Sequence, residues 1–321
     1  MKYKPIIITA GEPKSVFLEI FFKSIKKKKY RSPLILITCK DILLKNMQLN
    51  KFKKEIKEIN ISNINNLKIN NKKINLINVK MKSTYKNFYN NKNINSYINQ
   101  CFKIAFNLIK TKYSYKLITG PINKKKFLKK KFLGITELIS NKFNKKKTGM
   151  LIYNKSLSVC PVTSHLPIKD VAKSINKNLI VEKVLLLNNF FINILGIKPK
   201  IAIAGLNPHC ESISKFNEDE KILSPAIASL KKKNININGP FSADTIFLKQ
   251  NRKKYNVIVG MYHDQVLTPI KTLFEYDAIN ITMGLPFLRV SPDHGPNEKM
   301  INRNISDPTS LIRALEFLDK N

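Results

Sequence analysis

Tryptophan is absent from the 321 residues, and cysteine and histidine number four each. Acidic residues are scarce: 21 Asp and Glu face 58 Lys and Arg, a formal net charge of +37. Arginine is scarce too, being confined to Arg31, Arg252, Arg289, Arg303 and Arg313. That shortage weighs against a nucleic-acid partner, because base and phosphate readout leans on the bidentate guanidinium fork. The lysines come with a glut of Asn and Ile, as in NISNINNLKINNKKINLINVK, residue types with A/T-rich codons. A biased genome, which also fits the missing Trp, explains the composition more simply than DNA or RNA binding does. A basic nucleic-acid-binding protein on an eroded enzyme scaffold stays as a remote alternative, marked by steep salt dependence. Whatever its origin, the charge draws anionic ligands.

Cys39, Cys101, Cys160 and Cys210 are widely spaced with no C-x-x-C pair, the pattern of reduced cytosolic thiols rather than a disulfide frame. No apolar stretch approaches the length of a membrane span. The start, MKYKPIIITAGEP, has only a short apolar run before a turn, which suits a first strand and not a signal peptide. A soluble cytoplasmic protein is expected. No G-x-G-x-x-G follows a strand, so the usual dinucleotide fingerprint is missing.

What is present is an alternation of apolar strands and helices. Strands are expected at Pro5–Thr9, Pro33–Thr38, Ile74–Val79, Tyr115–Thr119, Met150–Tyr153, Ser156–Val162, Lys200–Ala204 and from Val257 to Gly260. Helical periodicity runs from Val16, over Ile94–Ile109, after Phe132–Ser140, over Val171–Leu195 and Glu218–Lys232, and from Ser306-Asp307-Pro308 to the end. Lys40 to Asn93 has weak periodicity and yields little else. The lysine run Lys124–Lys131 reads as a solvated helix face. The class is α/β with a largely parallel sheet, and the length suits two domains or one large unit.

The chemistry collects in Tyr255–Gly295, where an apolar strand empties into Tyr262-His263-Asp264-Gln265, followed by Lys271, Asn280, Arg289 and Asp293-His294. All four histidines, His165, His209, His263 and His294, fall in turn-like stretches after apolar runs, and the carboxyl ends of parallel strands share one edge of a sheet. Three imidazoles with an open position can hold a metal that polarises an oxygen, although each histidine taken alone can equally satisfy local backbone. Asp244 and Asp264 suit metal ligation, orientation of a ligand, or proton acceptance, with a turn cap as the plain reading. Lys271 and Arg289 lie in apolar surroundings, where a charge needs an anionic ligand or an internal ion pair. Cys210 beside His209 reads better as a small buried residue than as a ligand. From the residues alone, the reading is a metal-assisted reaction on an anionic, phosphorylated small molecule.

In chain order, GEP, GPINK, GITE, TSH, GLNPH, NGPFSADT, MYHDQ, NITMGLPFLR and DHG closely resemble the 4-hydroxythreonine-4-phosphate dehydrogenase family of vitamin B6 biosynthesis, from about Pro5 to Gly295. The resemblance implies a two-domain α/β/α fold like that of isocitrate and isopropylmalate dehydrogenases, with the active site in the interdomain cleft at a homodimer interface. Residues 1–130 with 300–321 would form one domain, and 131–299 the other. It further implies NAD or NADP, bound by residues left unassigned, and a divalent metal, zinc before magnesium or cobalt. His165, His209 and His263 would hold the metal, with His263 donated by the partner chain. Thr136, Lys271, Asn280 and Arg289 would contact substrate, with Asp244 and Asp264 catalytic. The implied reaction oxidises C3 of 4-phosphohydroxy-L-threonine and then decarboxylates the product to 3-amino-2-oxopropyl phosphate. A related dehydrogenase of a phosphorylated sugar acid, phosphoerythronate or phosphothreonate, is the alternative. Three departures stand out: Ile135 replaces a family histidine, CESISKFNEDE lacks the glycines expected after His209, and Lys14-Ser15-Val16 replaces glycines after GEP.

Overall fold

The structure is a computed structural model that describes residues 3–81, 91–128, 132, 134–212, 216–293 and 295–321. The chain divides into two compact units, Met1–Phe132 with Pro286–Asn321, and Leu133–Leu285.

In the first unit the strands are β1 (Ile6–Thr9), β2 (Leu34–Thr38), β3 (Ile56–Glu58), β4 (Ile74–Asn78), β5 (Lys116–Thr119) and β12 (Leu288–Pro292). They pair in parallel throughout, in the order β3-β4-β2-β1-β5-β12. Ile6, Ile7, Ile8, Ile35 and Ile37 are fully buried, as expected where helices cover both faces of a parallel sheet and its strands read as unbroken apolar runs. Those helices are α1 (Phe17–Lys27), α2 (Lys40–Leu49), α3 (Asn91–Lys110), α4 (Lys124–Leu128) and α11 (Thr309–Lys320). The Pro308 start expected for α11 is observed: Pro308 caps the helix, and Asp307 accepts the Thr309 N–H at 2.7 Å. Residues 286–299, assigned from sequence to the second domain, contain β12, which registers Leu288 against Lys116 of β5 and so belongs to the first sheet.

The second unit holds β6 (Gly149–Tyr153), β7 (Ser158–Thr163), β8 (Ile201–Ala204), β9 (Ile237–Phe241), β10 (Val257–Tyr262) and β11 (Ile279–Met283). Their order is β11-β6-β7-β10-β8-β9. The β11/β6 and β6/β7 pairs are antiparallel and the rest parallel. Its helices are α5 (Ile135–Lys142), α6 (Ile168–Ser174), α7 (Lys177–Phe190), α8 (Ser224–Lys231), α9 (Lys249–Arg252) and α10 (His263–Phe274). One face of this sheet, including Ile152, Val159, Ala202 and Ile258, packs beneath Val266 and Ile270 of α10. Each of the Val and Ile side chains contributes about 1.5–3 kcal/mol on burial, which fixes α10 against the sheet.

Two sequence expectations need correction here. The helix expected over Val171–Leu195 is broken at Ile175-Asn176, where Asn176 accepts the Leu179 N–H at 2.9 Å and starts α7 afresh. The stretch Lys177–Leu195 is also long and apolar enough by composition to cross a membrane, contrary to the expectation that none is. Its inner side, Ile180, Val184, Leu187 and Phe190, is buried within the second unit.

Candidate metal and substrate site

Strands β7, β10 and β8 are parallel neighbours, so their carboxyl ends lie along one edge of the second sheet. His165 follows β7, His263 follows β10 directly, and His209 follows β8. His263 is the first residue of α10 and not part of a turn, as the sequence had suggested. The rings of His165 and His263 face each other with centroids 6.0 Å apart and a tilt of 32°. They belong to the same chain, so His263 does not need a partner subunit to reach His165. His294 lies outside the described residues.

Each histidine has its Nδ1 directed at an oxygen. His165 Nδ1 lies 3.3 Å from Glu137 Oε1, and His263 Nδ1 lies 2.6 Å from Asp264 Oδ1. His209 Nδ1 makes a longer contact, 3.5 Å, to Ser242 Oγ. The Ser242 hydroxyl donates its one proton to Asp244 Oδ1 at 2.7 Å, so toward His209 it can only accept. In each case the neutral tautomer with its proton on Nδ1 makes this contact and leaves Nε2 as the lone-pair donor. That is the orientation that carboxylate and hydroxyl partners impose on metal-binding imidazoles. The Ser242 hydrogen bond holds the Asp244 carboxyl below its ordinary value, and His209 adds to the effect.

Gly134 makes the first pairing possible. A Cβ at that position would lie 2.7 Å from both His165 Cε1 and Glu137 Oε2. At the end of β10, Gln265 accepts the Met261 N–H at 2.7 Å and donates to Gly205 O at 2.6 Å, tying the strand that carries His263 to the strand that carries His209. The loop after β8 is held by Asp219, only 1% exposed, which accepts the Leu206 N–H at 2.7 Å and the Asn207 N–H at 2.9 Å. His209 and Cys210 follow at φ 55° and 62°, two successive left-handed residues where L side chains are strained. Cys210 is half-buried, and burial pushes its thiol up, with Asp219 adding to that.

The expected substrate residues fall in both units. Thr136, in the first turn of α5, has its hydroxyl 3.4 Å from that of Thr282 on β11. Asn280 shares that face of β11, two residues away, and its Oδ1 is buried with no partner among the described residues. Lys271 lies on the row of α10 that starts at His263, eight residues or about 12 Å along. Arg289 is in the first unit, 4% exposed, where its Nε and Nη2 donate to Thr119 Oγ1 at 3.1 and 2.6 Å. Glu137, Ser242 and Asp219 were not singled out from the sequence, and Gln265 was named there only as part of the cluster after the strand. Glu137 and Gln265 carried a usable signal, since each adjoins a recognised residue in GITE and MYHDQ.

Strand-end histidines in the second unit, two of them against carboxylates, narrow the possibilities, and comparison with known proteins decides among them. The family model described as pyridoxal phosphate biosynthetic protein PdxA matches residues 29–318. The chain belongs to the PdxA family. It is 36% identical to 4-hydroxythreonine-4-phosphate dehydrogenase of Sulfurihydrogenibium sp. (strain YO3AOP1), over 97% of this chain and 96% of that protein. It is 33% identical to D-threonate 4-phosphate dehydrogenase of Pectobacterium atrosepticum, over 68% of each. The crystal structure of 4-hydroxythreonine-4-phosphate dehydrogenase from Klebsiella pneumoniae superposes with a TM-score of 0.82 at 26% identity, covering 98% of this chain and 97% of that one.

Within the PdxA family the three departures take definite form here. Ile135 is 8% exposed at the start of α5, so an apolar side chain is buried beside Thr136. After GEP, Ser15 closes the turn without glycine, donating to Glu12 O at 2.7 Å. After His209, the described part of the loop turns through Cys210, with Asn217 donating to Cys210 O at 3.3 Å.

Proposed function

We propose that this chain catalyses the NAD(P)-dependent oxidation of 4-phosphohydroxy-L-threonine at C3, followed by decarboxylation to 3-amino-2-oxopropyl phosphate, as a cytoplasmic enzyme on the route to pyridoxal 5'-phosphate. The observation that carries this reading is the facing pair His165 and His263, each with Nδ1 on a carboxylate and Nε2 free. This donor set fits a borderline cation such as zinc. His165 and His263 would hold the ion through Nε2, and His209 would complete the set. Among the described residues of one chain no three His, Cys, Asp or Glu side chains converge. We assign the three ligands as His165, His209 and His263, with one of them supplied by the partner chain of a homodimer. A divalent cation held by these histidines would supply positive charge that stabilises a developing oxyanion.

The protein's own groups do the rest. In the first stage the C3–H and O–H bonds would break, a nicotinamide cofactor supplying the hydride acceptor and Asp264 or Asp244 relaying the hydroxyl proton to solvent, so that C3 becomes a ketone. In the second, the bond from C2 to the carboxylate breaks, CO2 departs, and C2 gains a proton. Asp264 and Glu137 hold the imidazoles in the tautomer that leaves Nε2 available, and Asp244 does so through Ser242. Both aspartates thus act first as positioning residues. Lys271 and Arg289 supply positive charge for the phosphate and carboxylate, and Asn280 and Thr136 supply polar contacts.

A second reading, oxidation of a phosphorylated sugar acid, is left open by Ile135, buried where the family resemblance implies a substrate-contacting histidine. The test measures nicotinamide reduction and bound metal together. Wild type reduces NAD(P) on 4-phosphohydroxy-L-threonine, His263→Ala loses both activity and metal, and Glu137→Gln weakens metal affinity by about 10–100-fold. Full activity in His263→Ala would overturn the metal assignment. A higher kcat/KM for phosphothreonate than for 4-phosphohydroxy-L-threonine, reversed by Ile135→His, would establish the second reading.

A further inference from the structure

A cavity of about 420 Å³ opens in the first unit between α1, the start of β2 and the start of β4. It lies at the amino-terminal edge of that sheet, opposite the edge where the GEP and GPINK turns leave β1 and β5. Its apolar lining is Phe21, Ile25, Leu34, Leu36 and Ile74, most of them buried. Lys28, Lys29, Lys54, Lys72 and Lys73 surround this floor. In a chain with 58 basic residues, lysines alone mark nothing. Three further observations do.

The polar walls are already built. Asn71 accepts the Leu34 N–H at 2.8 Å and donates to Tyr30 O at 3.0 Å and Ser32 O at 2.9 Å, while Asn75 donates to Leu34 O at 2.9 Å. These bonds hold the cavity open without using the lysines. Next, Lys28 pairs with Glu316 and Lys73 with Glu55, whereas Lys29, Lys54 and Lys72 have no acidic partner among the described residues. Partial burial pushes the Lys54 ammonium down, with no acidic group offsetting it. Finally, the hydroxyl of Tyr30, a lining residue, is buried with no hydrogen-bond partner among the described residues.

We propose that this cavity is a second ligand site, separate from the histidine site, that binds a small amphipathic anion with its phosphate or carboxylate at Lys29, Lys54 and Lys72 and its apolar body against Phe21 and Leu36. The volume falls in the range that encloses small molecules. An apolar floor beneath unpaired cations selects a ligand carrying both features over one carrying either alone. Three free cations favour a dianionic phosphate over a carboxylate.

The test is calorimetric titration of the full chain at fixed monovalent salt with phenyl phosphate, benzoate, inorganic phosphate and benzyl alcohol. Phenyl phosphate is expected to bind about tenfold or more tightly than inorganic phosphate or benzyl alcohol, with benzoate in between. Lys54→Gln combined with Lys72→Gln weakens it about tenfold, leaves the dehydrogenase reaction unchanged, and shows the wild-type melting profile. A saturating phosphorylated substrate of the histidine site leaves phenyl phosphate bound. Equal affinity for phenyl phosphate and inorganic phosphate, an unchanged affinity in the double variant, or displacement by the substrate would each overturn the proposal.

Discussion

Glu12 sits 7% exposed in the turn after β1, its Oε2 3.5 Å from the Asn123 N–H. Burial pushes its carboxyl above the ordinary value, Glu298 adds to this, and Asn123, Lys126 and Lys14 offset it in part. Because the folded state holds the proton more tightly than the unfolded chain, stability is full below the ordinary carboxyl value and falls as pH rises through the elevated one. Glu12→Gln keeps an acceptor for Asn123 and removes the buried charge. The variant should match wild type in thermal stability near about pH 4 and exceed it near about pH 8. A uniform loss at both pH values would mean that the side chain makes a contact, in either protonation state, that the amide cannot replace.

At the scale of elements, the site depends on α10 turning back onto β10 at once, with no loop between Tyr262 and His263. Gly260 makes that turn possible: a Cβ there would lie 2.4 Å from Val266 Cγ1 and 2.8 Å from Gln265 Oε1. Val266 is fully buried, so it has no room to yield. Gly260→Ala should therefore destabilise the chain by about 1–3 kcal/mol in chemical denaturation, and should weaken metal binding as His263 and the Gln265 bridge shift. An unchanged denaturation midpoint would show that α10 can lift away without penalty. The strands leading to this site were legible because apolar runs such as Val257-Ile258-Val259 end abruptly in polar residues. The helix α2 and strand β3 were not, because Lys, Asn and Ile crowd Lys40–Asn93 and blur any period. The site was legible as residue types but not as contacts. His165 and Glu137 are 28 residues apart and His209 and Ser242 are 33 apart, the second pair meeting because β8 and β9 are neighbours in the sheet. Strand adjacency, which places His263 beside His165 within one chain, is likewise not written in local sequence.

For the whole molecule, the net charge of +37 acts on stability and on catalysis in opposite directions. Lysines without acidic partners repel one another in the folded chain, and the same field draws a phosphorylated substrate inward. The screening length shrinks from about 30 Å at 0.01 M salt to about 8 Å at 0.15 M, so both effects weaken over that range. Adding a monovalent chloride salt should raise the melting temperature, by about 2–4 °C for each kcal/mol of repulsion relieved. It should also lower kcat/KM for the anionic substrate several-fold, chiefly through KM, while kcat holds. Phosphate and sulfate are unsuitable as the salt, since either would occupy anion sites directly. A melting temperature that stays level while kcat/KM falls would mean that the surplus lysines are too dispersed to strain the fold, leaving their charge to act on substrate capture alone. A fall in both would mean that the added salt breaks ion pairs such as Lys28–Glu316 and Lys40–Glu58 faster than it relieves repulsion. Exposed pairs of that kind are worth little singly, so the rise in melting temperature is the expected result.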